Sequence, residues 1–155
     1  RSFDYVFSTV KDINEYSFID IGCGKGKVVI IWQLLSIKHG IELDIYGVDY
    51  YREVIQKAKE NYRKVFGIEG NFLEEDAASL SCSEFGEKNI FFLYNPFDQY
   101  LLDKFLGTLE NHPAYIIYNN PQHGDELVKH GFEAIHEHDE GIESLKTSIF
   151  HRASS

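Results

Sequence analysis

Three glycines at alternate positions, Gly22, Gly24 and Gly26, follow directly on the apolar run Phe18-Ile19-Asp20-Ile21. Glycine accepts positive φ and has no side chain to hold a ligand off, so this spacing describes a backbone that bends tightly and admits a ligand. A helix starting behind the loop adds unpaired N–H groups aimed at it. What the spacing lacks narrows the ligand. A dinucleotide loop of the G-x-G-x-x-G type needs its third glycine where Lys27 stands, and a phosphate loop needs a Gly-Lys-Ser/Thr ending that Lys25-Gly26-Lys27-Val28 does not supply. Asp20 beside the loop opposes a diphosphate and favours a cation such as an amino-acid ammonium or a sulfonium.

These features suit S-adenosylmethionine, and the run D-I-G-C-G-K-G, Asp20 to Gly26, resembles the glycine-rich first motif of the class I S-adenosylmethionine-dependent methyltransferases. The resemblance implies a cofactor set of Asp20, Gly22, Cys23, Gly24, Gly26, Asp49, Tyr50, Asp76 and Ala77. In it Asp49 accepts hydrogen bonds from both ribose hydroxyls, Tyr50 covers the adenine face, Asp76 accepts from the adenine amino group and the Ala77 N–H reaches a ring nitrogen. The competing accounts from the residues alone are a helix cap for Asp49, a packed aromatic for Tyr50, a solvated acid for Asp76 and a small loop residue for Cys23. Asn95-Pro96-Phe97 resembles the N/D-P-P-Y/F motif of amino-methylating members, less one proline. There the Asn side chain and a proline carbonyl accept the amine protons while the aromatic packs on the substrate. Proline as a strand terminator ahead of a helix capped by Asp98 is the competing account. The whole chain also resembles a group of small bacterial methyltransferases that share I-D-I-G-C-G-K-G, an N-P-F and a Y-N-N-P. Members commonly carry an additional N-terminal segment, which Arg1–Tyr16 represents in part.

Such residues need a scaffold that brings strand ends together, and the chain reads as one: strands and helices alternate with short links, the pattern of a parallel sheet covered by helices. Strands are predicted at Ser17–Ile21, Leu43–Val48, Gly70–Glu74, Asn89–Tyr94 and Ala114–Tyr118. Helices are predicted from Lys25 to His39, closed by Gly40, from Arg52 to Phe66, closed by Gly67, after Asp98, and from Asn120-Pro121 to Gly131. The first of these, with Val28, Val29, Ile30, Ile31, Trp32, Leu34 and Leu35, is expected to be nearly buried. Phe132–His138 and Leu145–His151 have no helix between them and form an antiparallel hairpin through Asp139, Glu140 and Gly141. The resemblance supplies the rest: an α/β Rossmann-like sheet of seven mostly parallel strands, order 3-2-1-4-5-7-6, helices on both faces, in one domain over residues 1–155.

With 155 residues, 43% hydrophobic and 15% aromatic, the chain can bury a full core. The net charge of −10 argues against a phosphate-gripping nucleic-acid face, and the basic run Arg52, Lys57, Lys59, Arg63, Lys64 alternates with Glu53 and Glu60 as on a solvated helix face. No apolar run approaches the ~20 residues of a membrane span, and no signal-peptide pattern opens the chain. Cys23 and Cys82 are too few for a disulfide framework, which suits a cytoplasmic location. The chain has no methionine, so it is read as a fragment. His136, His138 and His151 could converge on a metal across the hairpin, but an exposed polar edge is the plainer account, and no metal ligand is assigned. The expected activity is in-line methyl transfer from S-adenosylmethionine to an unidentified acceptor, small molecule or protein. A non-catalytic cofactor-binding module and an NAD-dependent oxidoreductase are the alternatives.

Overall fold

The computed structural model describes residues 2–94, 97–109, 112–139 and 146–153. Seven strands, β1 Ser17–Ile21, β2 Asp44–Asp49, β3 Asn71–Glu74, β4 Asn89–Tyr94, β5 Ala114–Asn119, β6 Glu133–His138 and β7 Thr147–Arg152, form one sheet in the order β3-β2-β1-β4-β5-β7-β6. The first five run parallel, and β7 enters antiparallel between β5 and β6. The helices are α1 Ser2–Thr9, α2 Lys27–His39, α3 Arg52–Phe66, α4 Gln99–Thr108 and α5 Gly124–Lys129.

Parallel strands covered on both faces must be apolar on both, and β4 shows it: Ile90 joins the core under α1, α2 and α3, while Phe91 and Leu93 join the core under α4 and α5. Trp32 anchors α2 by stacking on Phe18 of β1 with ring centroids 3.6 Å apart. Phe3 of α1 meets the same indole edge-on at 5.0 Å. Parallel pairing aligns the strand ends, so Ile21 lies level with Val48 and Leu93 at the carboxyl edge.

Three local expectations need correction. α2 is buried only through Val29, Trp32 and Ser36, while Ile31, Leu34 and Ile37 are 42%, 48% and 61% exposed. One helix laid on one sheet face buries one stripe, and a continuous apolar run cannot mark which residues lie in it. The helix starts at Lys27 rather than Lys25, because Gly26 takes the cap position at φ 85°. Asn120-Pro121 does not open α5. Asn120 turns left-handed at φ 52°, its N–H donates to the Lys146 carbonyl at 2.8 Å, and the helix begins at Gly124 behind His123.

Gly47 of β2 has no room for a side chain. A Cβ there would lie 2.6 Å from Phe72 and 2.9 Å from the Cys23 sulfur, both buried. Gly47→Ala is expected to destabilise the fold by about 1–3 kcal/mol, the cost of overpacking a closed core. Urea denaturation checks this, and an unchanged midpoint would contradict the packing of β2 on Phe72.

Candidate cofactor site

The glycine loop between β1 and α2 is tied to the end of β2. The N–H groups of Gly22 and Cys23 both donate to the Val48 carbonyl, at 2.8 and 2.9 Å. One residue on, the Asp49 carboxylate takes the Gly24 N–H on Oδ2 at 3.0 Å and the Tyr51 N–H on Oδ1 at 3.1 Å. Each oxygen keeps a second lone pair, so Asp49 holds the loop in shape and can still accept two more hydrogen bonds.

Two of the glycines are required for different reasons. Gly24 sits at φ 54°, and a Cβ there would meet nothing within 4 Å because it would project into open space. Gly26, at φ 85°, faces inward, where a Cβ would press on the Phe72 ring at 3.2 Å and on Ala58 at 3.3 Å. The first opens a space for a ligand; the second lets α2 and α3 close together.

That space is a cavity of about 650 Å³, within the range of small-ligand sites. It is lined by Gly22 and Gly24 of the loop, by Asp49, Tyr50, Tyr51 and Val54 after β2, by Glu75, Asp76 and Ala77 after β3, and by Phe97 and Leu101. Asp76 caps the short 3-10 turn Ala77–Ser79 by accepting the Ala78 N–H on Oδ1 at 2.9 Å. Tyr50 is 65% exposed and edge-on to Tyr51. Phe97 packs part of its ring on Phe105, with centroids 5.8 Å apart. Asn95 and Pro96 lie outside the described residues.

Asp20 and Cys23 do not line the cavity; both are buried. Asp20 is 3% exposed, and burial, reinforced by the neighbouring Asp49 carboxylate, raises its pKa from 3.8 to about 7. Burial also pushes the Cys23 thiol up, with Asp20 and Asp49 adding to the shift, so this cysteine is held neutral. The raised Asp20 value has a definite consequence. Between about pH 4 and pH 7 the folded protein holds a proton that the unfolded chain has released, so this contribution to stability is full below 3.8 and is lost as pH rises through about 7. In the ligand-free protein the urea midpoint should fall over that window in the wild type, and the fall should be smaller in Asp20→Asn. Identical slopes would refute a buried carboxyl of raised pKa at position 20.

Tyr51, Val54, Glu75 and Leu101 line the cavity without having been singled out in the sequence. Tyr51 caps α3 and Val54 lies in its first turn, and by helical phase both fall near the side of Ile55, Ala58 and Tyr62, so the sequence reads them as core positions. Leu101 follows the cap Asp98 and reads as another core leucine of α4. The histidines of the hairpin are not brought together: His136 stacks on Tyr5 at 4.0 Å and His151 on Tyr115 at 4.4 Å. Among the described residues, the one group of three histidine, cysteine or carboxylate side chains with ligand atoms within 4.8 Å of one another is Asp103, Glu126 and His130. Its members already pair: His130 Nε2 lies 2.7 Å from Asp103, and Glu126 accepts from Gln99 and Lys129 at 2.6 and 2.8 Å.

A family model described as a methyltransferase domain matches residues 13–145. The chain is 39% identical over 62 residues to an uncharacterized protein of Methanocaldococcus jannaschii, a stretch that is 40% of this chain and 26% of that relative. Among solved structures, the magnesium protoporphyrin IX methyltransferase of Synechocystis with bound S-adenosylmethionine superposes with TM-score 0.64 at 14% identity, over 99% of this chain and 76% of that one. An S-adenosylmethionine-dependent methyltransferase of Clostridium acetobutylicum gives 0.66 at 13% identity, over 97% and 90%. At such identities the likeness is one of fold. No helix among the described residues is long and apolar enough to cross a membrane.

Proposed function

Because the chain belongs to the methyltransferase domain family, we propose that the cavity between the glycine loop and Asp49 binds S-adenosylmethionine and that the protein transfers its methyl group to an acceptor at the end of β4. The observation that carries this is the Asp49 carboxylate, which lines the cavity and holds Gly24 and Tyr51 with one hydrogen bond to each oxygen, leaving each oxygen able to accept another.

The residues present fit this cofactor. Asp49 accepts from the two ribose hydroxyls, Tyr50 and Val54 border the adenine, Asp76 accepts from its amino group and the Ala77 N–H donates to a ring nitrogen. The uncapped N–H groups at the start of α2 and the bend at Gly22–Gly26 take the amino-acid end. Asp20, buried at the end of β1 beside the loop, balances its ammonium, and a cation near it favours the ionised carboxylate. When bound, S-adenosylmethionine supplies a methyl group on positively charged sulfur. The protein's task is then to orient the acceptor and keep water out.

For the acceptor we infer an amine. Asn95, next after the last residue of β4, accepts from its N–H without taking the proton, because an amide is no base near neutral pH. Pro96 offers a carbonyl beside it, and Phe97 packs on the acceptor's flat face. Those contacts would orient the nitrogen lone pair for attack on the methyl group. The cytoplasm is the compartment that suits two cysteines that are both free and buried.

Calorimetry tests the cofactor: S-adenosylmethionine and S-adenosylhomocysteine should bind, and NADH binding more tightly than either would overturn the reading. A panel of aromatic and aliphatic amines tests the chemistry by S-adenosylhomocysteine release. Asn95→Ala should slow turnover yet change cofactor affinity by less than about 0.5 kcal/mol, as for a change remote from that ligand. Wild-type turnover in the variant would remove Asn95 from the mechanism. Tight cofactor binding with no methylation of any acceptor would favour a binding module.

A further inference from the structure

We propose that the outer face of α2 and the groove between α2 and α3 dock an acidic amphipathic helix of a partner protein. Neither core nor cofactor cavity accounts for this face. Ile31, Leu34 and Ile37 are spaced three apart, so they form one stripe along the side of α2 opposite Trp32, and all three are exposed. At its amino end the stripe runs into a groove of about 480 Å³ whose floor is Ile30, Ile31 and Val65. Val65 is 51% exposed, and Ile68 beyond the end of α3 is 64% exposed.

Charge selects the occupant. The chain carries a net charge of −10, yet Lys25, Lys27 and Lys64 rim this groove. Lys64 shares Glu60 with Lys57, while Lys25 and Lys27 make no ion pair among the described residues. An apolar floor under a basic rim on an acidic protein complements apolar side chains flanked by carboxylates. From Lys27 to Ile37 the face is about 15 Å long at 1.5 Å per residue, the length of three helical turns. A helix that lays residues i, i+3 or i+4 and i+7 into such a groove matches that length. A second copy of the chain fits poorly, because antiparallel contact of two such faces sets Lys27 against Lys38 and parallel contact sets Lys27 against Lys27. The floor also adjoins the cofactor loop, since Asn61 of α3 donates to the Lys25 carbonyl at 3.0 Å.

The test uses the whole chain and two designed, blocked helical peptides of identical leucine stripe, one with Glu and one with Lys flanking it, followed by fluorescence anisotropy. The Glu peptide should bind about tenfold or more tighter than the Lys peptide, a difference of about 1.4 kcal/mol, and should weaken with added salt. Leu34→Glu and Lys64→Glu should each abolish the preference. S-adenosylmethionine binding unchanged in both variants shows that the fold and the cofactor reading survive independently of this one. Equal affinity for the two peptides overturns the proposal. So does a dimer by light scattering that Leu34→Glu dissolves, which would give the face to a second copy. Flotation on vesicles of phosphatidylserine and phosphatidylcholine, lost in the same variant, would give it to a membrane and overturn the proposal equally.

Discussion

Gly24→Val is expected to abolish binding of S-adenosylmethionine while leaving a folded protein. Gly24 lies at φ 54°, where a β-branched residue is strained by roughly 1–2 kcal/mol, a loss the fold can absorb. The new side chain meets no protein atom within 4 Å of its Cβ. It projects instead into the cavity and fills the place where the ligand must approach the backbone. Steric exclusion of this kind is not graded by salt or pH, so binding should vanish in calorimetry under every condition tried. Gly24→Ala, with a smaller group and no branch, should be intermediate. A cooperative melt for Gly24→Val together with near wild-type affinity would show that the ligand does not touch the loop.

Asp49→Ala should produce the next largest loss. Hydrogen bonds to a charged acceptor contribute about 1.5–3 kcal/mol, so losing the ribose contacts weakens binding on the order of ten- to a hundredfold. The same change strips the acceptor from the Gly24 and Tyr51 N–H groups and loosens the loop. The two effects separate in a cycle with a 2′-deoxy cofactor analogue: the wild type should discriminate against it, and Asp49→Ala should not. Asp49→Asn keeps one acceptor oxygen and should fall between. Equal discrimination by wild type and Asp49→Ala would leave Asp49 a loop clamp and nothing more.

What the sequence made legible follows from local rules. α3 and the start of α4 lie where predicted because residues with a single physical preference mark them, as Gly67 closes α3 in the left-handed region and Asp98 caps α4 by accepting the Leu101 N–H. The sheet order came from family likeness, since no periodicity within a strand states its neighbour. The buried side of α2 is not legible because Val28 to Leu35 is apolar almost throughout, and only tertiary packing chooses Val29 and Trp32 over Ile31 and Leu34. Asp49 was legible as the residue ending a strand. Its clamp on Gly24 was not, for it joins residues 25 apart in sequence. Leu101 was hidden for a similar reason: in sequence it is one leucine among several, and only the placement of α4 turns it to the cavity.

The position of β7 bears on how the chain reaches its folded state. β5 is buried on both faces through Ile116 and Ile117, yet one of its edges pairs with β7, the last of the seven strands in chain order. As the polypeptide leaves the ribosome, β1 to β5 can assemble in turn. β5 then presents a free row of N–H and C=O groups beside apolar side chains until Thr147–Arg152 arrives and inserts between it and β6. A strand from another nascent molecule can occupy that edge first, so self-association during synthesis competes with completion of the sheet. Low temperature and slow expression, which hold down the concentration of unfinished chains, should therefore govern the yield of soluble protein more than its final stability does.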